Sequence, residues 1–324
     1  MLARPDAHLI ALDRSAAARY ERFVAGRARA RIADAGLTAV CRCEPVYPEQ
    51  LRELPDPPAV LHIAGSLAAM PAGEAAAIVG ARRATPYGLE VSRSLGRGLT
   101  AAGLPVVSGM ALGIDSAAHA GALEALPVAA APVAVLAGGA EAAYPARMRR
   151  LHTRLIEAGA VVSEMPPGFT AHRWCFPARN RIIAALSTIT IVVEAATKSG
   201  SLITADLAMD LGRVVAAVPG PVTSRYSAGA NELLHAGAAV IRGPRDVLDL
   251  AFGADGPAVL EPSPLVPLDP AQRRVLDAVE RGQGTLAELA RTMDESRAAS
   301  RTLSELELLG LVRRGFGGRY VRCS

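Results

Sequence analysis

Apolar and polar positions change their spacing several times along this chain, and the changes predict its elements. From residue 75 onward, short runs rich in Val, Ile and Ala alternate with longer segments in which apolar residues recur every three or four positions. The short runs are typical of strands buried on both faces, and the longer segments of amphipathic helices. The strand candidates are Ala76–Val79, Pro105–Val107, Val133–Leu136, Ala160–Val162, Thr188–Val193, Val214–Val218 and Ala238–Ile241.

Helix candidates separate these strands. They are Pro86–Ala101, Ser116–Ala125, Ala146–Ala158, Asn180–Leu186, Leu202–Leu211, Asn231–His235 and Pro244–Ala251. Strands that alternate with helices in this way form a parallel sheet with helices on both faces. We therefore predict an α/β fold with a Rossmann-like, doubly wound and mostly parallel sheet. Such sheets bind ligands at the carboxyl ends of their strands.

The pattern differs before and after this central region. Residues 1–45 predict a short helical N-terminal region, in which Tyr20–Ala35 forms one amphipathic helix. Closely spaced prolines after residue 46 force an extended path, so we predict an arm packed on the central domain, which with this arm spans residues 46–252. Pro, Gly and Asp are frequent in residues 253–269, which predicts a linker.

Residues 270–324 have the pattern of three short helices followed by a hairpin around the Gly-rich turn of LVRRGFGGRYVR. This order predicts a C-terminal winged-helix domain. Its third helix would expose Arg297 and Arg301, and its wing carries Arg313, Arg314, Arg319 and Arg322. These arginines permit duplex DNA binding in the major groove. The domain could equally serve as a dock for a protein, and the sequence leaves both roles open.

Composition limits the class of protein. In 324 residues, hydrophobic content is 51% and aromatic content 4%, so Ala, Val, Leu and Ile must form the core. A formal net charge of +4 permits a nucleic-acid partner without requiring one. The four cysteines are too scattered for a disulfide framework or a zinc site. The chain shows no signal peptide or membrane-spanning pattern, so we expect a cytoplasmic location.

Glycines and cations follow the predicted strands at their carboxyl ends. Gly80 and Gly109, the latter preceded by Ser108, would let backbone N–H groups approach a ligand, although glycines there also suit tight turns. Arg82 lies in the first such loop, at the mouth of the expected crevice, and we predict that it binds phosphate. Arg83 beside it is a weaker candidate for the same role.

Residues 198–204 follow a strand and open a helix. Ser199, Gly200, Ser201 and Thr204 would form an anion-binding nest of hydroxyl and amide groups beside Lys198, which is the only lysine in the chain. An ordinary helix cap explains one serine but not the neighbouring lysine. The chain has neither a Walker loop nor GxGxxG after its first predicted strand, so tight ATP or NAD binding is disfavoured and no cofactor is expected.

A cationic and aromatic stretch, RWCFPARNR, precedes another helix candidate. It contains Arg173, Trp174, Phe176, Arg179, Asn180 and Arg181. Nucleic-acid bases stack on aromatic faces at about 1–3 kcal/mol each, while cations hold the backbone. We predict that Phe176 stacks a base and that Trp174 packs inward as a core plug. Arg179 or Arg181 could instead pair with Glu194 to shape the pocket.

Catalysis is not predicted. The candidate groups in the crevice are Asp115, His119, Glu164 and Glu194. Asp115 opens a helix as a cap, and His119 lies four residues later on the same face, so the two could bond each other. No nucleophile elbow, Ser-His-Asp order or metal-ligand cluster is present in the sequence.

Several motifs occur in one order between Leu51 and Ile241. They are GARRATPYG, SGMALGIDSAAH, LAGGAEAAYP, SEMPPG, RWCFPARNRIIAALS, VVEAATKSGSLITA and VPGPV. This region resembles the DNA-processing protein A family, also called DprA or Smf. The resemblance implies a non-catalytic single-stranded DNA-binding protein of natural transformation, which protects incoming strands, loads RecA recombinase onto them and forms homodimers. It also implies a DNA pocket that uses Arg82, Arg173, Phe176 and Lys198 with the Ser199–Ser201 loop.

The chain departs from the family pattern at two positions. Leu112 stands where a cation is usual, which removes one possible anion contact, and Met148 replaces a common asparagine after Tyr-Pro. Two other functions remain open. A nucleotide phosphoribohydrolase of the LOG type would need the glutamate of PGGxGTxxE, but Leu207 lies three residues after Thr204. A ligand-sensing transcription regulator would use the winged helix to bind duplex DNA.

Overall fold

The chain folds into two compact units, residues 1–260 and 261–324. The computed structural model describes residues 25–125, 130–253, 257, 268–290, 292–309 and 311–322. Most of the predicted linker, the first part of the predicted N-terminal region and Cys323 therefore lie outside the described residues. The domain boundaries proposed from the sequence stay predictions.

A nine-stranded sheet forms the centre of the first unit. Its strands are β1 Thr38–Cys41, β2 Val60–Gly65, β3 Ala76–Val79, β4 Val106–Ser108, β5 Val133–Val135, β6 Ala160–Ser163, β7 Ile189–Val192, β8 Val214–Ala217 and β9 Ala239–Val240. They lie in the order β1-β2-β6-β5-β4-β3-β7-β8-β9. The strands from β3 to β9 are parallel, and only β1 and β2 run antiparallel to their neighbours.

Helices cover both faces of this sheet. They are α1 Ala25–Asp34, α2 Glu49–Arg52, α3 Pro86–Ala101, α4 Ile114–Glu124, α5 Arg149–Ala158, α6 Cys175–Ala185, α7 Gly200–Asp210, α8 Ala228–His235 and α9 Pro244–Phe252. Side chains alternate between the faces of each strand. In β3, Ala77 and Val79 therefore pack with α6, α7 and α8, while Ala76 and Ile78 pack with α3, α4 and α9. The predicted doubly wound α/β fold is confirmed.

The proline-rich arm joins the sheet, which the sequence did not predict. The arm is only partly extended, because Glu49–Arg52 forms the helix α2, and its strand β2 pairs antiparallel with β6, with Ile63 opposite Val162. Leu61 and Ile63 are fully buried in this pairing. Because β2 and β6 are far apart in sequence, local periodicity could identify an extended segment but not its partner strand.

The order of the strands reverses beside β3. One side of β3 pairs with β4 and the other with β7. The loops that follow β3 and β7 consequently diverge toward helices on opposite faces of the sheet. This divergence opens a crevice at the carboxyl edge, which is where doubly wound sheets bind ligands.

The second unit contains α10 Pro270–Glu280, α11 Leu286–Leu289, α12 Met293–Leu308 and an antiparallel pair, β10 Val312–Arg314 with β11 Tyr320–Arg322. Three helices followed by two strands agree with the predicted order, and the winged-helix assignment stays a prediction. Arg301 and Arg319 of this unit are ion-paired with Glu305 and Glu288 at 3.0 and 2.8 Å. Among all residues described, no helix has both the length and the apolar character to cross a membrane.

Candidate nucleic-acid interface

The crevice between the loops after β3 and β7 holds a cavity of about 190 Å³. The loop between β3 and α3 forms one wall, the first turn of α7 forms the other, and α6 closes the side. Predicted site residues that line it are Gly80, Arg82, Phe176, Arg179, Asn180, Ser199, Gly200, Ser201 and Thr204. Residues from three separate predicted motifs therefore meet at one edge of the sheet.

Arg82 and Phe176 are in direct contact at the mouth of this cavity. The guanidinium carbon of Arg82 lies 4.7 Å from the centre of the Phe176 ring, which is cation–π geometry. The Tyr144 ring lies 5.8 Å from the Phe176 ring, centre to centre. A second cavity, of about 170 Å³, adjoins Arg82 and Phe176 and is bounded by Tyr144 and Leu112. The Arg82–Phe176 pair thus presents a cation and a ring to both cavities.

The first turn of α7 supplies polar groups to the opposite wall. Ser199 caps the helix by accepting a hydrogen bond from the Ser201 amide, and the two serine hydroxyl oxygens lie 2.7 Å apart. The α7 N-terminus carries a partial positive charge that favours an anion. Lys198 precedes this turn, is exposed, and makes no hydrogen bond or ion pair within the described ranges. Its ammonium group is therefore available to a ligand at the rim.

Glu194 fixes the loop that carries Arg82. Its buried carboxylate accepts hydrogen bonds from the backbone N–H and the hydroxyl of Thr85, the residue that caps α3. A Cβ atom on Gly88 would lie 2.5 Å from the Glu194 carboxyl carbon, so only glycine leaves room for this contact. The predicted pairing of Glu194 with Arg179 or Arg181 is wrong. Glu194 instead ties the first turn of α3 to the end of β7.

Arg179 has a structural role, but its partners are backbone carbonyls rather than the Glu194 that the sequence suggested. It is 6% exposed, and its Nη1 donates to the Gly109 carbonyl at 2.7 Å and to the Val135 carbonyl. Asp115 accepts a hydrogen bond from the Gly109 N–H at 3.0 Å, so the expected Gly109 amide is not available to a ligand. Burial lowers the pKa of Arg179 to about 10, an effect that the Asp115 charge opposes. Arg179 and Asp115 therefore hold Gly109 at its carbonyl and at its N–H, which belong to two successive peptide groups.

Two further predicted contacts also have partners inside the protein. One guanidinium nitrogen of Arg181 donates to both carboxylate oxygens of Glu164, at 2.7 and 2.8 Å. Ser108 is buried, and its hydroxyl donates to the Ile78 carbonyl. These two side chains are therefore engaged in bonds within the protein. Arg83 is exposed next to Arg82 but does not line either cavity.

Trp174 does not pack inward, and its prediction as a core plug is wrong. Its side chain is 59% exposed, whereas the next residue, Cys175, is fully buried. Trp174 immediately precedes α6 and meets the edge of the Phe169 ring at a centre-to-centre distance of 6.3 Å. Arg173 beside it is exposed as well. The residue that plugs the core at the start of α6 is therefore the cysteine.

His119 and Asp115 do not bond each other as the sequence suggested, since Asp115 is engaged by backbone amides. Burial lowers the pKa of His119 to about 4, although a backbone contact with Ser108 acts in the opposite direction. Across the residues described, no group of three His, Cys, Asp or Glu side chains could hold a metal ion.

The buried His119 should make stability depend on pH. The unfolded chain binds a proton on this imidazole near pH 6.5 but the folded chain only near pH 4, so stability falls as pH falls through this window. We expect the free energy of unfolding to drop by about 2 kcal/mol between pH 7.5 and pH 5 from this group. Urea titrations at both pH values should show a smaller drop in His119→Leu. The comparison with the variant is needed because burial also lowers the pKa of His62. An equal pH dependence in both proteins would contradict the assignment.

The region that builds this interface matches one known protein family. Residues 38–251 match the profile of the family described as DNA recombination-mediator protein A. A Mycobacterium tuberculosis protein named for DNA processing protein DprA is 44% identical over 223 residues, which are 68% of this chain and 57% of that protein. DNA processing protein DprA of Bacillus subtilis is 36% identical over 69% of this chain and 74% of its own length. The chain thus spans little more than half the length of the Mycobacterium tuberculosis relative.

Solved structures give the same result. The X-ray structure of DNA processing protein A from Streptococcus pneumoniae aligns with a TM-score of 0.66 and 34% identity, covering 71% of this chain and 79% of that one. A structure of the Helicobacter pylori DNA processing protein A, described for its single-stranded DNA binding mode, aligns with a TM-score of 0.58 and 28% identity, over 67% of this chain and 96% of that one. Sequence and fold together show that this chain belongs to the DNA processing protein A (DprA/Smf) family.

Proposed function

We propose that this chain binds single-stranded DNA, without reading its sequence, in the crevice between β3 and β7. The observation that carries the proposal is the Arg82 guanidinium stacked on the Phe176 ring, beside the N-terminus of α7 and the exposed Lys198. Cations provide contacts for phosphates, and an accessible ring provides a stacking surface for an unpaired base. A duplex keeps its bases stacked inside and cannot use such a ring.

Each group has a defined task in this mechanism. Arg82, Arg173 and Lys198 hold successive phosphates while Phe176 stacks a base. The hydroxyls and amides at the start of α7 donate hydrogen bonds to a further phosphate oxygen at the positive end of the helix. Because base edges are not read by these contacts, the affinity should vary little with sequence.

We also propose that this chain is not an enzyme. Asp115 is the carboxylate among the residues that line the 190 Å³ cavity, and one of its oxygens already accepts hydrogen bonds from two backbone amides. Burial raises the pKa of Asp115, although the Arg179 charge opposes this shift. The LOG-type alternative would need a carboxylate at Leu207. Incubation with a nucleoside monophosphate should therefore release no free base.

The resemblance to its family supports a role in natural transformation. We propose that this chain protects incoming strands in the cytoplasm and loads RecA recombinase onto them, as the resemblance to its family implies. We further propose a homodimer. Strand β9 ends the sheet, and near it Met209, Val214 and Val240 are 51%, 40% and 52% exposed, which is apolar surface suited to a second copy. A dimer would carry two DNA crevices.

Competition between DNA forms tests the proposed function. Unlabelled single strands should displace a labelled oligothymidine from the intact chain, and duplex of equal length should displace it poorly. A chain that ends at Gly253 should retain this preference, since the crevice lies wholly in the first unit. Equal competition by duplex would favour the transcription-regulator alternative. Loss of binding in the shortened chain would place the site in the second unit.

A further inference from the structure

The loop between β6 and α6 carries a second group of rings near the Arg82–Phe176 pair. We call Phe169, His172 and Trp174 the aromatic platform. Phe169 meets His172 and Trp174 edge to face, at 5.7 and 6.3 Å between ring centres and at interplanar angles of 82° and 74°. Trp174 is 59% exposed and is the single tryptophan of a chain that is only 4% aromatic. Such exposure of a large ring indicates a surface that meets a partner.

Several hydrogen bonds hold the platform in place. The Phe169 carbonyl accepts from the Gly139 N–H at 3.0 Å, and the Gly168 N–H donates to the Glu141 carboxylate at 2.6 Å. On the other side, Arg31 of α1 donates to the Pro167 carbonyl at 2.6 Å. The loop is thus tied to two neighbouring segments. A stacking surface fixed in advance loses little conformational entropy when a base binds.

Positive charge lies beside the platform. Arg173 lies between His172 and Trp174 in sequence and is exposed. Helix α1, which reaches the loop through Arg31, also exposes Arg27, which lies one turn before Arg31 on the same face of the helix. In the part of the chain that the structure describes, Arg27 and Arg173 form no ion pair. Rings beside uncompensated cations have the chemistry that binds an unpaired base and its flanking phosphates.

The platform and the crevice border the same loop. Tyr144, which contacts Phe176, and Gly139, which bonds Phe169, both belong to the segment between β5 and α5. Trp174 precedes Phe176 by two residues at the start of α6. A strand that leaves Phe176 along this surface would reach Trp174 and its neighbour Arg173.

We propose that the aromatic platform is a second stacking site for the same single strand, in which Trp174 stacks a base and Arg173 with the α1 arginines binds the adjoining phosphates. This inference rests on the proposed function, and it gives α1 a role in binding. It extends the DNA path from the crevice toward the N-terminal helix.

Trp174 reports on its own occupancy, since it is the single tryptophan in the chain. Oligothymidine and an abasic oligomer of equal length would be titrated into the full chain, with tryptophan emission and the anisotropy of a labelled oligomer followed in parallel. We expect oligothymidine to quench the emission and the abasic oligomer to bind without quenching. Trp174→Ala should weaken oligothymidine binding about 5- to 10-fold and leave abasic binding unchanged. Trp174→Phe, which keeps a ring, should bind almost as the unaltered chain does.

Each other outcome is decisive. If anisotropy shows binding but emission and the affinity of Trp174→Ala are unchanged, the platform is overturned and the Arg82–Phe176 site stands. Quenching without an affinity loss in Trp174→Ala also overturns it, because a base that passes nearby without stacking would give that result. If the intact chain binds no single strand at all, the proposed function fails together with the platform.

Discussion

Replacing Arg82 and Lys198 together with glutamine should weaken oligothymidine binding roughly 100-fold at low salt and flatten its salt dependence. Each lost charged contact is expected to cost about 1.5 kcal/mol or slightly less at an exposed site. Each phosphate contact to a single strand contributes about −0.7 to the slope of log affinity against log salt. The double variant should therefore show a slope less steep by about 1.4, and each single variant by about half of that.

The two side chains suit this test because their charges are uncompensated and exposed. Arg82 contacts the Phe176 ring rather than a carboxylate, and Lys198 makes no ion pair within the residues described. Their removal should consequently leave folding intact. Arg97→Gln is the matched control. Arg97 lies on α3 about 16 Å from the start of that helix, toward the amino edge of the sheet. Its slope should equal that of the unaltered chain. A double variant with an unchanged slope would show that phosphates are bound elsewhere.

The meeting of Arg82, Phe176 and the Ser199–Ser201 turn could be predicted from the sequence. Arg82 and the Ser199–Ser201 turn each follow a short apolar run that the pattern marks as a parallel strand, and Phe176 lies at the start of the helix that leads into the next such strand. The carboxyl ends of parallel strands share one edge of the sheet. Local spacing was sufficient because the rule for parallel sheets already states that loops distant in sequence meet at one edge. The same rule could not predict β2, whose antiparallel partner β6 follows it by a long stretch of sequence.

Partners of buried charges could not be predicted in this way. Glu194 bonds Thr85, which lies 109 positions earlier in the chain, and Arg179 bonds the ends of β4 and β5. Composition shows that these charges are present in the crevice motifs, but not which loop each one reaches. Arg181 and Arg179 have the same charge and lie two positions apart on α6, yet one pairs with Glu164 and the other is sealed inside the protein. The outward orientation of Trp174 could not be predicted for a related reason, because a single residue before a helix has no periodicity to orient it.

Asp115→Ala should destabilise the first unit by about 3–5 kcal/mol, a large part of the stability of an ordinary domain. The substitution leaves the Arg179 guanidinium buried without an opposing charge. It also leaves the Gly109 and Ala111 amides without their acceptor. Urea unfolding of the full chain, followed by far-ultraviolet circular dichroism, measures the loss.

Two further variants separate the charge from the hydrogen bonds. Asp115→Asn keeps an oxygen that can accept from the Gly109 amide but removes the charge that opposes the burial of Arg179. Its loss should lie between zero and that of Asp115→Ala. Asp115→Ala combined with Arg179→Met should lose less than the sum of the two single losses, because no buried charge is then left unpaired. Strict additivity would show that Asp115 and Arg179 act independently, and their bonds to Gly109 would then not couple them. A strong coupling would instead show that Gly109, which lines the second cavity with Arg82 and Phe176, is held by two opposite charges that need not touch, because one is bonded to its carbonyl and the other to its N–H.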